Sequence, residues 1–317
     1  MTEAPPKKTL SIMSTLAGQQ LRMAKLFTLP SHLLLAFIVI FPLIMQIYVS
    51  LTWWTPLDGR PWYDAYLSWN WFDNYVEIFR DGGLWTSILR TLLFVFICVP
   101  IEFVLGLFLA MAFYEKVPMQ RVLYSVILVP MMVVPAIAGY MFYLIFQQTG
   151  PFNSLLSYVY PAATEINWLN NVTRSFICII ISDVWQWTPL MFLILYAGLM
   201  SVPEDQMKAA ALLRASGWQR FRRIAFPRMK AVIFIAIALR LIECLKIFDP
   251  IFVMTKGGPG VVTESLSVYL YKRTFADLEW SYVAAIGLTI LVFLSVVANV
   301  FLMRAARSAQ SPTGLES

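Results

Sequence analysis

Four charged residues alternate in sign within one apolar stretch of the sequence. Arg240, Glu243, Lys246 and Asp249 follow one another at intervals of three. Residues three apart lie on the same side of an α-helix, so neighbouring members of the series could pair. Charges in apolar helices usually face a protein interior or a water-filled cavity. Two interpretations stay open: a row that lines or gates a pore, with Asp249 near the outer mouth, and a structural chain of ion pairs.

Two acids and three cysteines also lie in apolar stretches. Glu102 and Asp183 each stand alone, and they could line a path for ions or accept hydrogen bonds from adjacent helices, the second role being favoured. The cysteines, Cys98, Cys178 and Cys244, are far apart in the sequence and are expected to be small thiols that fill the core. The sequence therefore predicts neither a metal site nor a disulfide.

Motifs of enzymatic chemistry are absent from the sequence. It contains no G-x-x-x-x-G-K-[ST] phosphate loop, and no G-x-S-x-G, H-E-x-x-H or C-x-x-C motif. The chain is therefore not expected to be an enzyme, and it is not expected to bind ATP through a phosphate loop. The run Gly257, Gly258 and Pro259 is instead expected to form a tight turn.

The composition makes lipid the expected solvent for most of the chain. Of its 317 residues, 59% are hydrophobic and 13% are charged, and the mean hydropathy is +0.70. A soluble domain carries about a quarter charged residues. Six apolar stretches approach or exceed the roughly 20 residues needed to cross a bilayer. They cover residues 27–52, 86–113, 122–147, 175–200, 231–254 and 282–303. The sequence predicts an all-α integral membrane protein with about six transmembrane helices.

The placement of the basic residues gives the expected orientation of these helices. With the N-terminus inside, the inner segments hold 15 Lys and Arg residues and the outer loops hold six. This asymmetry follows the positive-inside rule, so the net charge of +6 indicates topology and not nucleic-acid binding. We expect cytoplasmic tails at 1–26, with a possible amphipathic helix, and at 304–317. Residues 53–85 are expected outside, and the core of five spans, 86–303, contains a cytoplasmic segment at 201–230.

The segment 201–230 is too polar to span a membrane and too patterned for a simple linker. Pro203 followed by two acids predicts a helix start. Gly217 is a plausible stop, and a second short helix from Trp218 is expected to reach Pro227, where the next span begins. The first helix carries a small apolar face made by Met207, Ala210, Ala211 and Ala215. Such a face could be gripped by another protein, or it could belong to an ordinary surface helix.

Residues 203–227, here called the EAA-like segment, resemble the EAA loop of permease subunits of binding-protein-dependent ABC importers. The residues in register with that loop are Pro203, Ala209, Ala210, Ala215, Trp218, Phe221, Ile224 and Pro227. The sequence departs from the family pattern at Lys208, where Glu is usual, and at Leu213 and Arg214, where Asp-Gly is usual. The resemblance implies a coupling helix that seats in a cleft of a cytoplasmic ATPase. Arg214 leaves two possibilities open: an acidic cleft on that partner, or a helix that continues through the usual break.

The resemblance extends over residues 29–300 and points to the carbohydrate-uptake branch of these permeases. It is carried by segments 71–75, 100–106, 150–156, 185–189 and 248–260, and the last contains a Thr-x-Gly-Gly-Pro loop like that of maltose-transporter-type permeases. The resemblance implies the type I ABC importer permease fold and a location in the plasma membrane of a prokaryote. It also implies alternating access, in a complex with a second related permease, an extracytoplasmic solute-binding protein and two ATPase copies. ATP and Mg²⁺ would bind to the ATPases, and no cofactor is expected on this chain.

Two other classes of protein compete with this interpretation. An ion-coupled secondary transporter could use Glu102, Asp183 and the four alternating charges as a relay. A membrane-bound scaffold or transferase would need a polar reactive cluster at one interface, and the sequence shows none. The importer interpretation accounts for the alanine-rich helix, which the competitors leave unexplained.

Overall fold

The computed structural model describes residues 7–114 and 118–310. Within these ranges the secondary structure is helical, and its only β pairing is an isolated bridge between Thr52 and Trp69. The α-helices are α1 Lys7–Ser50, α2 Asp73–Arg80, α3 Gly82–Ala112, α4 Gln120–Met132, α5 Pro135–Ile145, α6 Pro151–Ser157, α7 Val172–Met200, α8 Glu204–Leu212, α9 Gly217–Arg220, α10 Phe226–Leu245, α11 Asp249–Met254, α12 Leu266–Phe275 and α13 Trp280–Gln310. The predicted all-α class is confirmed.

The chain divides into two compact units. One combines the residues up to Arg80 with those from Arg273 onward, and the other is Asp81–Lys272. In the first unit α1 packs against α13, where Gln46 donates a hydrogen bond to the carbonyl of Ala284 at 3.2 Å. The segment after α1 is held by Asn74, whose amide donates to the carbonyls of Ser50 and Thr52. Most side chains of α1 between residues 27 and 47 are exposed, as lipid-facing residues would be.

The second unit is built around α3, α7 and α10. Large apolar side chains from these helices fill its core, among them Phe94, Ile179, Phe192, Leu195 and Met229. Local signals set the helix starts: the Asp81 carboxylate accepts from the backbone N–H of Leu84, and the Asn171 side chain accepts from that of Arg174. These caps satisfy amide groups that the first turn of a helix leaves unpaired. The unit carries the candidate functional residues.

The predicted span 122–147 is two helices and not one. Helices α4 and α5 meet at Val133 and Val134 with a bend of 96°. Two prolines flank the break, Pro130 within α4 and Pro135 at the start of α5. A proline cannot donate to the preceding turn, so it favours such a break. The carbonyl of Val133 that is freed there accepts a hydrogen bond from Gln186 of α7 at 2.9 Å.

Among the residues that the structure describes, fewer helices are long and apolar enough to span a membrane than the sequence predicts. Phe27–Ser50, Gly82–Ala112 and Val172–Met200 are long and apolar enough to cross a membrane, and the bent pair α4–α5 makes a fourth if it is one span. Helix α10 is not apolar enough to count as a membrane span by composition, because charged residues lie near both of its ends. In α13 the apolar part found is the shorter stretch Trp280–Val296. A total of six spans thus remains a prediction.

Several helices differ in extent from the predicted membrane spans. Within the predicted span 231–254, helix α10 ends at Leu245, and the separate helix α11 begins after a break at Asp249. The span-forming part of α1, Phe27–Ser50, begins where the sequence predicts, and residues 7–26 extend the same helix on its N-terminal side. Helix α13 likewise extends past residue 303, the predicted end of the last span, to Gln310. Residues 1–6, 115–117 and 311–317, which belong to the predicted cytoplasmic segments, lie outside the described residues.

Candidate functional site

The first helix of the EAA-like segment begins and ends for local reasons. Helix α8 starts after Pro203, with Glu204 and Asp205 in its first turn, where acids favour the positive end of the helix dipole. It stops at Leu212, and Arg214 adopts a left-handed conformation with φ of +59°. The chain therefore turns at the position of the usual glycine, and the possibility that the helix continues through this break is excluded. The stop predicted at Gly217 is wrong, because the turn comes earlier.

A second helix follows the turn and leads directly into α10. Ser216 and Gln219 cap α9 reciprocally, each side chain bonding the backbone N–H of the other residue. Residues 221–225 then form a π-helical segment, and Phe226 continues into α10. Pro227 disturbs the regular helical hydrogen bonds one turn before it, which gives a reason for the wider turn there. The start of the next span predicted at Pro227 is confirmed to within one residue, since α10 begins at Phe226. No break separates it from the preceding helices, because residues 217–245 are helical throughout.

The EAA-like segment is anchored by a few side chains and leaves its tip exposed. Val202, Met207 and Phe221 are buried in the core of the second unit. Leu212 and Leu213, at the end of α8, are 86% and 85% exposed. Sequence analysis noted Leu213 only as a departure from the family pattern and did not predict this exposed pair, although two adjacent apolar residues just before a predicted break were a usable signal. An exposed apolar tip on a rigidly anchored helix is typical of a protein-binding surface.

The predicted coupling residues divide into three groups by exposure. Met207 and Phe221 are buried; Ala210, Ala215 and Ile224 are half-buried; Pro203, Ala209, Ala211, Gly217, Trp218 and Pro227 are exposed. Met207, predicted as part of the apolar face, thus points into the core and anchors the helix. Trp218 is 62% exposed and stacks on Phe221 with ring centroids 5.6 Å apart. The exposed group, together with the leucine tip, forms the surface available to a partner.

Lys208 is held within its own helix. Its ammonium donates to the carboxylate of Glu204, one turn earlier, at 2.5 Å. This hydrogen bond lowers the pKa of the Glu204 carboxyl and raises the pKa of Lys208. Both side chains are about 70% exposed, so the pair contributes little to stability. Lys208 therefore occupies the usual Glu position with its charge already matched by an acid of the same helix.

The four alternating charges do not form one continuous row. Arg240 is buried and points away from Glu243 toward other helices, whereas Glu243 and Lys246 form an exposed pair at 2.9 Å. Asp249 is half-buried and begins a separate helix, α11. Of the pairings that the spacing allows, the structure forms the one between Glu243 and Lys246.

Arg240 joins the two acids that the sequence left alone. It donates to Glu102 of α3 through Nε and Nη2, at 2.5 and 2.9 Å, and Nη2 also donates to Asp183 of α7. All three side chains are almost fully buried. The Cζ atom of Arg240 lies 5.0 Å from the centre of the Trp187 ring. Arg240, Glu102 and Asp183 together are called the Arg240 cluster below. The favoured interpretation of the acids, hydrogen bonding to neighbouring helices, is confirmed, and their description as lone residues is wrong.

Two of the three cysteines meet beside the Arg240 cluster. The Sγ atoms of Cys98 and Cys244 and a carboxylate oxygen of Asp183 lie within 4.8 Å of one another. The thiols come from α3 and α10, and both are fully buried and free of disulfides. Their small size lets the two helices approach closely, which fits the predicted role as core-filling residues. Their proximity could not be read from positions 146 residues apart.

The Gly-Gly-Pro run forms a turn that is fixed from several sides. Gly257 has φ of +88°, and a Cβ there would lie 3.1 Å from that of Glu264, so both conformation and space favour glycine. Gly258 and Pro259 are joined by a cis peptide bond. The Thr263 hydroxyl donates to the carbonyl of Gly258 at 2.7 Å, and Glu264 pairs with Lys272. The loop is therefore well ordered by its own side chains.

A cavity of about 480 Å³ opens beside this turn. Amide side chains, one cation and two aromatic rings line much of it: Gln147, Gln148, Asn167, Asn170, Lys256, Tyr143 and Phe146. Amides offer both donors and acceptors, so such a wall can bind hydroxyl groups of a polar solute. Sequence analysis did not identify these residues because they come from three separate parts of the chain: the end of α5 with the loop after it, the loop before α7, and the turn after α11.

Comparison with known proteins shows the family to which this chain is similar. Residues 75–308 match the family described as the inner membrane component of binding-protein-dependent transport systems. The probable ABC transporter permease protein y4oQ of Sinorhizobium fredii is 33% identical over 89% of this chain and 90% of its own length. The trehalose transport system permease protein SugA of Mycobacterium tuberculosis is 30% identical over 99% of this chain and 100% of its own length.

Two further proteins are similar in part of the sequence or in fold. The trehalose/maltose transport system permease protein MalF of Thermococcus litoralis is 36% identical over 62% of this chain and 67% of its own length. The crystal structure of a bacterial ABC transporter involved in import of the polysaccharide alginate contains a chain with a TM-score of 0.75 at 19% identity, covering 96% of this chain and all of the other. The predicted permease fold is confirmed. This chain belongs to the family of inner membrane components of binding-protein-dependent transport systems.

Proposed function

We propose that this chain is a permease subunit of an ATP-driven importer for a sugar, oligosaccharide or polyol, and that it forms half of the translocation pathway. The observation that carries the proposal is the EAA-like segment, whose exposed leucine tip and small exposed face are held on a buried anchor. A chain without a phosphate loop needs such a surface to receive work from a separate ATPase.

In the proposed complex this chain has four kinds of partner. A second related permease completes the pathway, and lipid covers the outside of both chains. Two copies of a cytoplasmic ATPase bind ATP and Mg²⁺ and dock on the EAA-like segments. An extracytoplasmic binding protein delivers the solute. A related solved complex, the alginate ABC transporter with a pentasaccharide-bound periplasmic protein, has a chain with a TM-score of 0.74 to this one, which supports the fold underlying this arrangement.

The proposed solute class rests on relatives and on the cavity. Relatives named for trehalose and maltose transport span most of this chain. The cavity beside the Gly-Gly-Pro turn combines amides with aromatic rings, a combination suited to hydroxyl-rich solutes. The ion-coupled alternative loses its support, because Glu102 and Asp183 both bind Arg240 in a buried cluster and neither faces a solvent path.

Charge insertion on the exposed face of α8 tests the docking assignment. Ala211→Asp should abolish association with the partner ATPase, because a desolvated carboxylate in a protein interface is costly without a partner. The measurement is co-purification of the ATPase with the permease from membranes. Ala210→Asp should act in the same direction, while membrane insertion stays normal in both variants.

The matched control is Ala211→Ser, which keeps a small side chain and should retain the ATPase.

Proteoliposomes containing the whole complex should take up labelled trehalose or maltose only with ATP and the binding protein. Normal ATPase retention by Ala211→Asp would refute the docking surface. Uptake by the permease chains alone, without nucleotide hydrolysis, would refute the importer itself.

A further inference from the structure

The EAA-like segment is mechanically continuous with the Arg240 cluster. Residues 217–245 are helical without interruption, so α9, the π-helical segment and α10 form one rod. Arg240 lies 23 residues from its start, roughly 35 Å at 1.5 Å per residue. Helix α8 is connected to this rod by the turn at residues 213–216 and by Met207, which is buried in the same core cluster as Phe221 of the rod. A push on α8 can therefore reach Arg240, in the helix that packs against both α3 and α7.

We propose that Arg240, Glu102 and Asp183 are positioning residues that lock α3, α7 and α10 into one rigid block throughout the transport cycle. The inference rests on the proposed function and adds how motion of the EAA-like segment reaches the pathway. While these three side chains stay paired, motion of the EAA-like segment displaces all three helices together. When the pairing is removed, α10 can slide or rotate against α3, and motion of the segment no longer moves α3 and α7.

The geometry of the cluster resists both sliding and rotation. The guanidinium bonds Glu102 through two nitrogens and Asp183 through one of them, so its plane is fixed relative to two helices at once. Water cannot replace a lost partner, because Arg240 is 2% exposed and Glu102 is 0% exposed. A slide of α10 would thus leave buried charges unpaired, which is strongly unfavourable. The Trp187 ring covers the guanidinium as a further constraint.

Close packing on one side of the cluster, toward the C-terminal end of α7, supports the same conclusion independently. A Cβ on Gly106 of α3 would lie 2.9 Å from that of Met191 on α7. A Cβ on Gly198 of α7 would lie 2.8 Å from Cγ1 of Val232 on α10. Such contacts leave no gap through which these helices could slip past one another. Close apolar contacts of this kind, together with the ion cluster further along the same helices, would make the three helices move as a single body.

The first experiment removes the charges without changing side-chain size greatly. A triple variant, Glu102→Gln with Asp183→Asn and Arg240→Met, leaves no buried charge unpaired. In the assembled complex, solute molecules imported per ATP hydrolysed should fall at least tenfold, while ATP hydrolysis continues. The control on the same helix is Glu243→Gln with Lys246→Met, an exposed pair that should leave this ratio unchanged. Wild-type coupling in an assembled triple variant would overturn the proposal.

A second experiment uses two native thiols and leaves all three residues of the Arg240 cluster unchanged. The probe is HgCl₂, which is neutral and can therefore enter an apolar interior in which both thiols are fully buried. One mercury atom can bond to the Sγ atoms of Cys98 and Cys244, which lie within 4.8 Å of each other, and each thiol proton leaves with a chloride as HCl. The link is made in a Cys178→Ser background with a protease site after Val159, which is 87% exposed. After cleavage, only linked chains keep the two fragments together under denaturing conditions.

Linking α3 to α10 should leave ATP-driven uptake unchanged, because a rigid block never opens at this interface. Loss of uptake on linking, with full activity retained in a Cys244→Ser control treated with the same HgCl₂, would overturn the proposal. The outcome is separable from that of the proposed function. If the unmodified complex shows no ATP-dependent uptake at all, the importer assignment fails; if uptake occurs but stops on linking, only the rigid block fails.

Discussion

At the scale of single residues, Arg214 holds an unfavourable backbone conformation. Its φ of +59° places Cβ close to the following carbonyl, at a cost of roughly 1–2 kcal/mol for a residue with a side chain. We predict that Arg214→Gly raises the local opening free energy of α8 by about 1 kcal/mol, because glycine adopts this region freely. Hydrogen exchange of the α8 amides measures the change.

The neighbouring residue provides the control for this prediction. Leu213 has φ of −80°, so glycine there gains no steric relief and adds freedom to the unfolded chain. Leu213→Gly should lower the same free energy by about 0.5–1 kcal/mol. Equal shifts in both variants would show that the left-handed conformation carries no cost.

At the scale of elements, the bend between α4 and α5 depends on a side chain of a third helix. The Val133 carbonyl has lost its helical donor and accepts from Gln186. We predict that Gln186→Leu lowers the free energy of unfolding by about 1–3 kcal/mol, the cost of leaving one buried polar group unpaired. Thermal denaturation of the purified complex in detergent checks this.

Two variants make that measurement specific. Gln186→Glu keeps the length of the side chain but cannot donate when ionised, so it should also destabilise. Gln148→Leu removes an amide whose long hydrogen bond, at 3.4 Å, lies at the surface, and it should change little. Destabilisation by Gln148→Leu equal to that by Gln186→Leu would mean that the effect is not local to the bend.

At the scale of the whole molecule, close helix approach in the second unit determines stability. Gly106 of α3 faces Met191 and the backbone of Phe192 at distances that exclude a methyl group. Gly106→Ala should therefore lower the free energy of unfolding by about 1–3 kcal/mol through overpacking. Gly82→Ala at the start of the same helix has open space around it and should be close to neutral. A comparison of the two melting temperatures decides the matter, and equal values would contradict the packing argument.

The helices themselves were largely predictable, because apolar stretches and caps are local properties. The starts of α3 and α7 fall within a few residues of the predicted spans, and α8 begins after Pro203 as expected. The errors share one cause. The sequence shows that 122–147 is apolar, but the 96° bend is stable only because Gln186 of another helix satisfies Val133. The exposed leucine tip was missed for a related reason, since exposure depends on where the anchor residues Met207 and Phe221 are buried.

By itself, the sequence determined the helical class, the membrane environment, the family resemblance and the position of the EAA-like segment, since these follow from composition, periodicity and motif spacing. Only the tertiary structure decided which charges meet. Spacing along one helix suggested that Arg240 would pair with Glu243, but Arg240 binds Glu102 and Asp183, which are 138 and 57 residues away. A buried ion is stabilised by the partners that folding brings to it, and neighbours in sequence that remain near solvent cannot supply that stabilisation.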